Sequence, residues 1–122
     1  LNEYGLPGAF FRPMYFLPTF QKHTGRLCGG AQIHVTDRRK FKPFKTGVAV
    51  IKAIYDLYPD QFKWKQPPYE YEKVKMPVDI LAGTDRIRKE IEKGKGLDHM
   101  EEWWSEQCVE FNNKVRKKYL MY

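Results

Sequence analysis

Residues 8–20 read GAFFRPMYFLPTF and residues 31–36 read AQIHVT, and these two stretches decide the fold class. The first is almost wholly aromatic or apolar, but Pro13 and Pro18 interrupt it. Because proline has no N–H for a sheet ladder, this stretch predicts an edge strand or an extended segment rather than a helix. The second stretch is rich in β-branched residues and predicts a strand. A turn is expected between them, at residues 25–30.

Alternation along the second predicted strand divides its side chains between two faces. One face is apolar, and the other projects Gln32 and His34 together, with Asp37 and Arg38 just beyond the strand end. An amide, an imidazole, a carboxylate and a guanidinium supply the donors and acceptors that a sugar or carboxylate ligand needs. The alternative interpretation is a solvent-facing side of the strand beside a solvated loop, and the sequence leaves both open.

Arg12 stands among aromatic and apolar neighbours in the stretch FFRPMYF. A long basic side chain can extend its charge to water from such a place, but an arginine among rings is often held by a partner or a ligand. Arg12 therefore joins the candidate substrate-binding residues. Tyr15 and Phe16 follow it closely and could stack on the face of a sugar.

The remainder of the chain predicts helices, of which the last is the most clearly amphipathic. Pro43 suits the start of a helix whose body runs over residues 47–58 and whose apolar residues predict burial. Thr84 suits the cap of a second helix that Gly94 ends. Apolar residues of the last helix recur every three or four positions, namely Met100, Trp104, Cys108, Phe111, Val115 and Tyr119. The sequence thus predicts an α+β fold in a single domain over residues 1–122, with a small sheet from the N-terminal half packed with about three helices, the last long and amphipathic.

Charge and composition exclude several classes of function. The chain has 122 residues and a net charge of +7, and the basic excess is concentrated in RRKFKPFK at residues 38–45. Such a cluster attracts anionic ligands, or it is a solvated turn. No apolar run approaches the ~20 residues of a membrane span. No glycine-rich nucleotide motif, nucleic-acid-binding pattern or metal-ligand spacing is present, so the sequence predicts no cofactor and no metal site.

Two pairs of side chains are further candidates for catalysis. Cys28 with His34 offers a nucleophile and a base, and Asp37 with Asp79 offers two carboxylates for acid–base chemistry. The structural alternatives are favoured, because Cys28 and His34 need not meet along one strand, Asp37 suits a turn, and Asp79 suits the cap of a short helix. Cys108 falls on the apolar face of the last helix, so we expect a buried thiol. Whether the two cysteines pair stays open.

Five stretches of the chain resemble the exo-β-N-acetylmuramidases of bacterial peptidoglycan recycling, a family formerly known as a domain of unknown function. In order they are PGAFFRPMYFLPTF, CGGAQIHVTDRRKFKP, LYPDQFKW, VDILAGTDRIRKEIEKG and KKYLMY, and together they span nearly the whole chain. The resemblance is to the smaller, C-terminal domain of this two-domain family. The larger N-terminal domain, Rossmann-like in the family, is absent from the sequence.

This resemblance implies an accessory domain of a glycoside hydrolase that releases non-reducing terminal N-acetylmuramic acid from peptidoglycan fragments. It implies an active site in the cleft between the two domains, with the main catalytic carboxylate in the absent one, so we expect these 122 residues alone to be inactive. Arg12, Gln32, His34, Asp37 and Arg38 are expected to line the cleft. Arg12 or Arg38 would bind the lactyl carboxylate of muramic acid.

The expected partners are the N-terminal catalytic domain of the same chain and a muramic-acid-containing glycan, with no nucleic acid and no membrane span. The expected location is the cell envelope, the periplasm or outside the cell. Two alternatives stand beside this interpretation. One is a non-catalytic module that binds cell-wall glycan or another anionic polymer through the basic cluster. The other is a purely structural domain that stabilises a larger partner, which exposed apolar surface would favour.

Overall fold

A computed structural model describes residues 1–120. The chain divides into two compact units, Leu1–Val50 and Ile51–Tyr122. The predicted α+β fold is confirmed, because a two-stranded antiparallel sheet is followed only by helices. Single-domain organisation stays a prediction, and the last two residues of the KKYLMY stretch lie outside the described residues. The elements are a short 3-10 helix (Asn2–Tyr4), β1 (Ala9–Phe16), β2 (Cys28–Val35), α1 (Pro43–Leu57), α2 (Pro77–Ala82), α3 (Arg86–Glu92), α4 (Leu97–Phe111), a π-helical segment (Asn112–Arg116) and α5 (Lys117–Tyr119).

Both predicted extended stretches are strands of one hairpin, and β2 begins at Cys28, earlier than the predicted start. In the antiparallel register Phe11 faces Ile33 and Pro13 faces Ala31. The side chain of Asn2 holds the outer edge of β1, since its Nδ2 donates to the carbonyl of Phe11 (3.0 Å) and its Oδ1 accepts from the Phe11 amide (2.9 Å). These bonds imitate those of a neighbouring strand.

A close backbone approach joins the beginning of β1 to the turn after β2. Gly8 has a φ of +69°, and a Cβ at this position would lie 2.4 Å from the carbonyl oxygen of Asp37 and 2.7 Å from the amide nitrogen of Phe41. The carbonyl of Gly8 accepts from the amide of Thr36 (2.9 Å). Only glycine combines this φ with this clearance, so Gly8 fixes where the Asp37 turn lies relative to the hairpin.

Helix α1 begins at Pro43, as predicted, where the missing N–H of proline costs no hydrogen bond. Its burial is narrower than the prediction, because Ile54 is 45% and Leu57 71% exposed. The buried positions include two polar ones. Thr46 donates to the carbonyl of Lys42 (2.9 Å), and Lys52 forms an ion pair with Asp56 (2.8 Å).

Hydrogen bonds at the helix ends and a small set of buried apolar side chains stabilise the helices of the second unit. The N-cap of α3 is Asp85, one residue after the predicted Thr84, although the Thr84 hydroxyl accepts from the amide of Arg86 (3.2 Å); Gly94 follows that helix with a φ of +69°. The short apolar stretch before α3 forms α2, and the guanidinium of Arg88 in α3 donates two hydrogen bonds to Asp79 in α2. The fully or largely buried apolar side chains of this unit are Ala53, Ile87, Ile91, Leu97, Met100 and Trp103.

The last helix is long, as predicted, but most of its predicted apolar face is exposed. Met100 is fully buried, whereas Phe111 is 58% and Tyr119 69% exposed. Cys108 is exposed too, so the prediction of a buried thiol is wrong. The π-helical segment turns the side chains that follow it away from the α-helical extrapolation. Among residues 1–120, no helix is long and apolar enough to cross a membrane.

Candidate functional site

The hairpin register brings Arg12 and Gln32 directly opposite each other. Nη2 of Arg12 donates to Oε1 of Gln32 (3.1 Å), and both residues are exposed. Because side chains alternate along a strand, His34 projects from the same face as this pair. We call this the polar hairpin face: Phe10, Arg12, Met14, Phe16, Cys28, Gly30, Gln32 and His34. Three of the five predicted site residues therefore share one surface.

Aromatic rings flank the polar groups of this face. Phe10 lies opposite His34 and is 50% exposed, and Phe16 at the other end is 46% exposed. A Cβ on Gly30 would lie 3.4 Å from the ring of Phe16, so the glycine leaves room for that ring to lie across the strand pair. Tyr15 projects from the opposite face. Of the two aromatic residues proposed to stack on a sugar, only Phe16 therefore accompanies Arg12.

Asp37 and Arg38 lie beyond the end of β2, as predicted, and outside the polar hairpin face. The carboxylate of Asp37 accepts from the amide of Arg39 (2.9 Å), and it lies 3.9 Å from both Arg39 Nε and Lys40 Nζ. Its side chain is 30% exposed, whereas Arg38 is exposed. Asp37 thus has the turn role that the structural alternative predicted. Its carboxylate still has one edge toward solvent.

The two remaining catalytic candidates are Asp79 and the pair of Cys28 with His34, and Asp79 lies within α2, whose N-cap is Met76, rather than at the predicted cap position. Asp79 receives both Nε (2.9 Å) and Nη2 (2.8 Å) of Arg88, a two-pronged ion pair within the second unit. This pairing raises the pKa of Arg88 above its usual value, because the hydrogen bonds to Asp79 favour the charged guanidinium. Cys28 and His34 lie at opposite ends of β2, about 20 Å apart along the strand, too far for a nucleophile and its base.

The chemistry of this arrangement suits the binding of an anionic or hydroxyl-rich ligand. The polar hairpin face supplies a guanidinium, an amide and an imidazole between rings, but no carboxylate. Across residues 1–120, no group of three or more His, Cys, Asp or Glu could hold a metal ion. Sequence reasoning missed the contact between Arg12 and Gln32, because the long loop between the strands gives no signal for the register.

Comparison with known proteins identifies the family. The family model described as the C-terminal region of the exo-β-N-acetylmuramidase NamZ matches residues 1–122. The chain belongs to this NamZ C-terminal family. Over 122 residues it is 43% identical to the peptidoglycan β-N-acetylmuramidase NamZ of Bacillus subtilis (strain 168). The predicted resemblance to the C-terminal domain of this family is confirmed.

The fold of this chain is similar to part of a solved crystal structure. A DUF1343 family protein from Bacteroides fragilis superposes with a TM-score of 0.72 at 22% identity and covers 99% of this chain. At that identity the similarity concerns the fold alone. The 122 residues span 27% of the Bacillus subtilis relative and 30% of the Bacteroides fragilis chain. Most of each relative therefore lies outside the matched region.

Proposed function

We propose that this chain is an accessory domain that binds substrate in a glycoside hydrolase releasing terminal N-acetylmuramic acid from peptidoglycan fragments. The family and the name of the Bacillus subtilis relative support the reaction class. Hydrolysis of a glycosidic bond uses two carboxyl groups that flank the bond. The polar hairpin face contains none, so the catalytic carboxyl groups belong to the larger part of a family-length chain, and these 122 residues form one wall of the site.

The observation that carries this proposal is the exposed pair of Arg12 and Gln32. A guanidinium has five N–H groups, and within residues 1–50 Arg12 donates a hydrogen bond only to Gln32. The guanidinium is exposed, and its other donors have no partner within residues 1–50. Muramic acid differs from N-acetylglucosamine by a lactyl carboxylate, which a guanidinium binds with two parallel hydrogen bonds. Arg12 therefore selects for muramic acid.

Other residues of the polar hairpin face suit the remainder of such a sugar. Phe16 offers a ring face to a pyranose, and the amide of Gln32 and the imidazole of His34 offer donors and acceptors for hydroxyl and acetamido groups. Arg38 is the second candidate for the carboxylate. Peptidoglycan is a component of the bacterial cell wall, so the proposal includes a location in the cell envelope.

The test compares hydrolysis of a chromogenic N-acetylmuraminide with that of the matching N-acetylglucosaminide. The enzymes are a family-length chain that carries these residues, its Arg12→Ala, His34→Ala and Arg38→Ala variants, and the 122 residues alone. We expect the 122 residues to be inactive and Arg12→Ala to lose about 10- to 100-fold in selectivity for the muraminide, the amount that one charge-assisted pair provides. Unchanged selectivity in both Arg12→Ala and Arg38→Ala would remove the assigned role.

Arg26→Ala is the matched control. Arg26 is an exposed base in the loop between the two strands, so its removal changes the net charge by the same amount without touching the polar hairpin face. Equal losses in Arg12→Ala and Arg26→Ala would indicate general electrostatic attraction, which also weakens as salt rises. That result would favour the polymer-binding alternative.

The exposed apolar surface also supports a second function, a structural domain that stabilises a larger partner. Exposed side chains of this kind occur in the loop after β1 and along the last helix, including Leu17, Phe20, Leu27, Val109, Phe111 and Tyr119. Contact with a larger partner would cover side chains of this kind. The structural function predicts that Arg12→Ala and His34→Ala keep full activity and full selectivity in the family-length chain.

A further inference from the structure

The two edges of the hairpin differ in whether they can accept another strand. The bonds between Asn2 and Phe11 show that the amide and carbonyl of Phe11 point away from β2. In an antiparallel pair this orientation alternates, so the odd-numbered residues of both strands direct their backbone groups outward. The bond from Thr36 to the carbonyl of Gly8 agrees, because these even-numbered residues face inward.

The outer edge of β1 is closed by its own sequence. Asn2 occupies the backbone groups of Phe11, and the amide of Ala9 donates to the carbonyl of Leu6 (3.3 Å). Pro13 is also odd-numbered, so its missing N–H lies on the outer edge, where a further strand would need a donor. A proline and a side-chain cap are common means of preventing strand addition.

The outer edge of β2 carries none of these protections. Among residues 1–50, all of which the structure describes, Gly29, Ala31, Ile33 and Val35 have no hydrogen-bond partner for their outward amides and carbonyls. The strand CGGAQIHV contains no proline, no lysine and no acidic residue. All of its residues except Cys28 are exposed, including Ile33 (45%) and Val35 (47%). An edge of this kind is a template for β-strand addition.

We propose that the outer edge of β2 is the docking site for a β-strand from the larger part of a family-length chain. The spacing of the outward groups, two residues apart along the strand, matches only an extended backbone. The relatives supply ample chain, since the matched region is 27% of one and 30% of the other. A two-stranded hairpin is marginally stable alone, and a third strand would make β2 the central strand.

This inference rests on the proposed function in one respect: both assume that the 122 residues act as part of a family-length chain. The added strand covers the edge of β2 and leaves the polar hairpin face open, because the two are perpendicular. Docking by strand addition would therefore fix Arg12 and Gln32 relative to the larger part of the chain without covering them.

Amide hydrogen exchange tests the proposal residue by residue. In the 122-residue chain the amides of Gly30, Gln32 and His34 should be protected by β1, while those of Gly29, Ala31, Ile33 and Val35 exchange freely. In the family-length chain the odd-numbered amides should slow by at least about tenfold. Exchange of these amides at equal rates in both chains would overturn the proposal. Protection of the odd-numbered amides in the 122-residue chain would also overturn the proposal. This holds whether the protection depends on protein concentration, as binding of a second copy would, or is independent of it.

A variant supplies the second arm. Ala31→Pro removes the outward N–H of residue 31 from β2, just as Pro13 lacks an outward N–H at the paired position of β1. Ala31→Thr keeps this N–H and is the matched control. In the family-length chain Ala31→Pro should cancel the slowing at Gly29 and Ile33, and Ala31→Thr should keep it. If Ala31→Pro also frees the even-numbered amides, the hairpin itself has opened and the comparison of the two wild-type chains decides. Exchange requires no turnover, so a protected edge in an inactive enzyme would contradict the proposed function and leave this inference standing.

Discussion

The two units of the chain use their charged residues in different ways. Residues 1–50 hold eight bases and two acids, whereas residues 51–122 hold fourteen bases and thirteen acids. Several acids of the second unit form ion pairs with bases one helical turn away or on the next helix, as Asp79 does with Arg88 and Glu110 with Lys114. In the first unit one acid, Asp37, faces two bases of its own turn.

This difference indicates that an anionic ligand would bind the first unit, residues 1–50, which we call the hairpin unit. In the second unit, residues 51–122, which we call the helical unit, the charges nearly neutralise each other and contribute to the packing of the helices. The bases of the hairpin unit outnumber its acids, so the unit keeps a positive field that an anionic ligand can satisfy. Arg12 contributes to this excess of positive charge. Within residues 1–50 its guanidinium donates only to the neutral amide of Gln32, which does not balance the charge.

The largest expected effect tests how the hairpin unit is held. Gly8→Ala should lower the free energy of unfolding by about 3 kcal/mol, because the new Cβ meets the backbone of Asp37 and Phe41 at a positive φ. Gly5→Ala is the matched control, since Gly5 has a φ of +59° but nothing within 4 Å of the Cβ position. It should cost about 1 kcal/mol. Equal losses in urea unfolding, followed by the amide signals of β1 and β2, would show that the close approach is unimportant.

A smaller effect tests the ion pairs of the helical unit. Asp79→Asn should cost about 2 kcal/mol, because the largely buried guanidinium of Arg88 loses the closer of its two charged partners and keeps only Glu92 at 3.3 Å. In the control Asp85→Asn, the pair with Lys89 is half exposed on both sides, so solvent screens it and the cost should be much smaller than that of Asp79→Asn. All three tryptophans lie after residue 50, so fluorescence reports the unfolding of this unit. A cost for Asp85→Asn that matches Asp79→Asn would contradict this ranking.

The smallest expected effect concerns pH. Hydrogen bonds from the amides of Val74 and Lys75 lower the pKa of Glu72 below its ordinary value of 4.5. A carboxylate with a lowered folded pKa stabilises the fold fully above 4.5, and this contribution disappears as the pH falls through the folded pKa. Glu72→Gln should therefore flatten the dependence of stability on pH below 4.5, measured by urea midpoints. Glu106→Gln, at an exposed position of α4, is the control, and an equal flattening there would refute the assignment.

Much of the fold could be predicted because its signals are local. Pro43 begins α1, Thr84 lies within one residue of the N-cap of α3, and the alternation of AQIHVT produces a strand with Gln32 and His34 on one face. The candidate site was predicted less completely. Its residues were chosen from one strand and its flanks, and nothing local indicates that Arg12 lies opposite Gln32.

Two predictions went wrong for one physical reason. The pattern of the last helix indicates an apolar face, and α1 shows the same kind of pattern, but a pattern does not say what covers a face. Cys108 is exposed and Leu57 is 71% exposed, although both belong to apolar stretches. The α-helical repeat also cannot foresee the π-helical segment that follows Phe111.

The sequence by itself determined the fold class, the basic character of residues 1–50 and membership of the NamZ C-terminal family, because each depends on residue order or composition alone. The tertiary structure alone decided the strand register, the partner of Asp79 and the difference between the two hairpin edges. A one-residue slip of register would move Arg12 to the other face, and only contacts between residues distant in the chain prevent that slip. Whether Arg12 meets Gln32 is therefore a property of the folded hairpin.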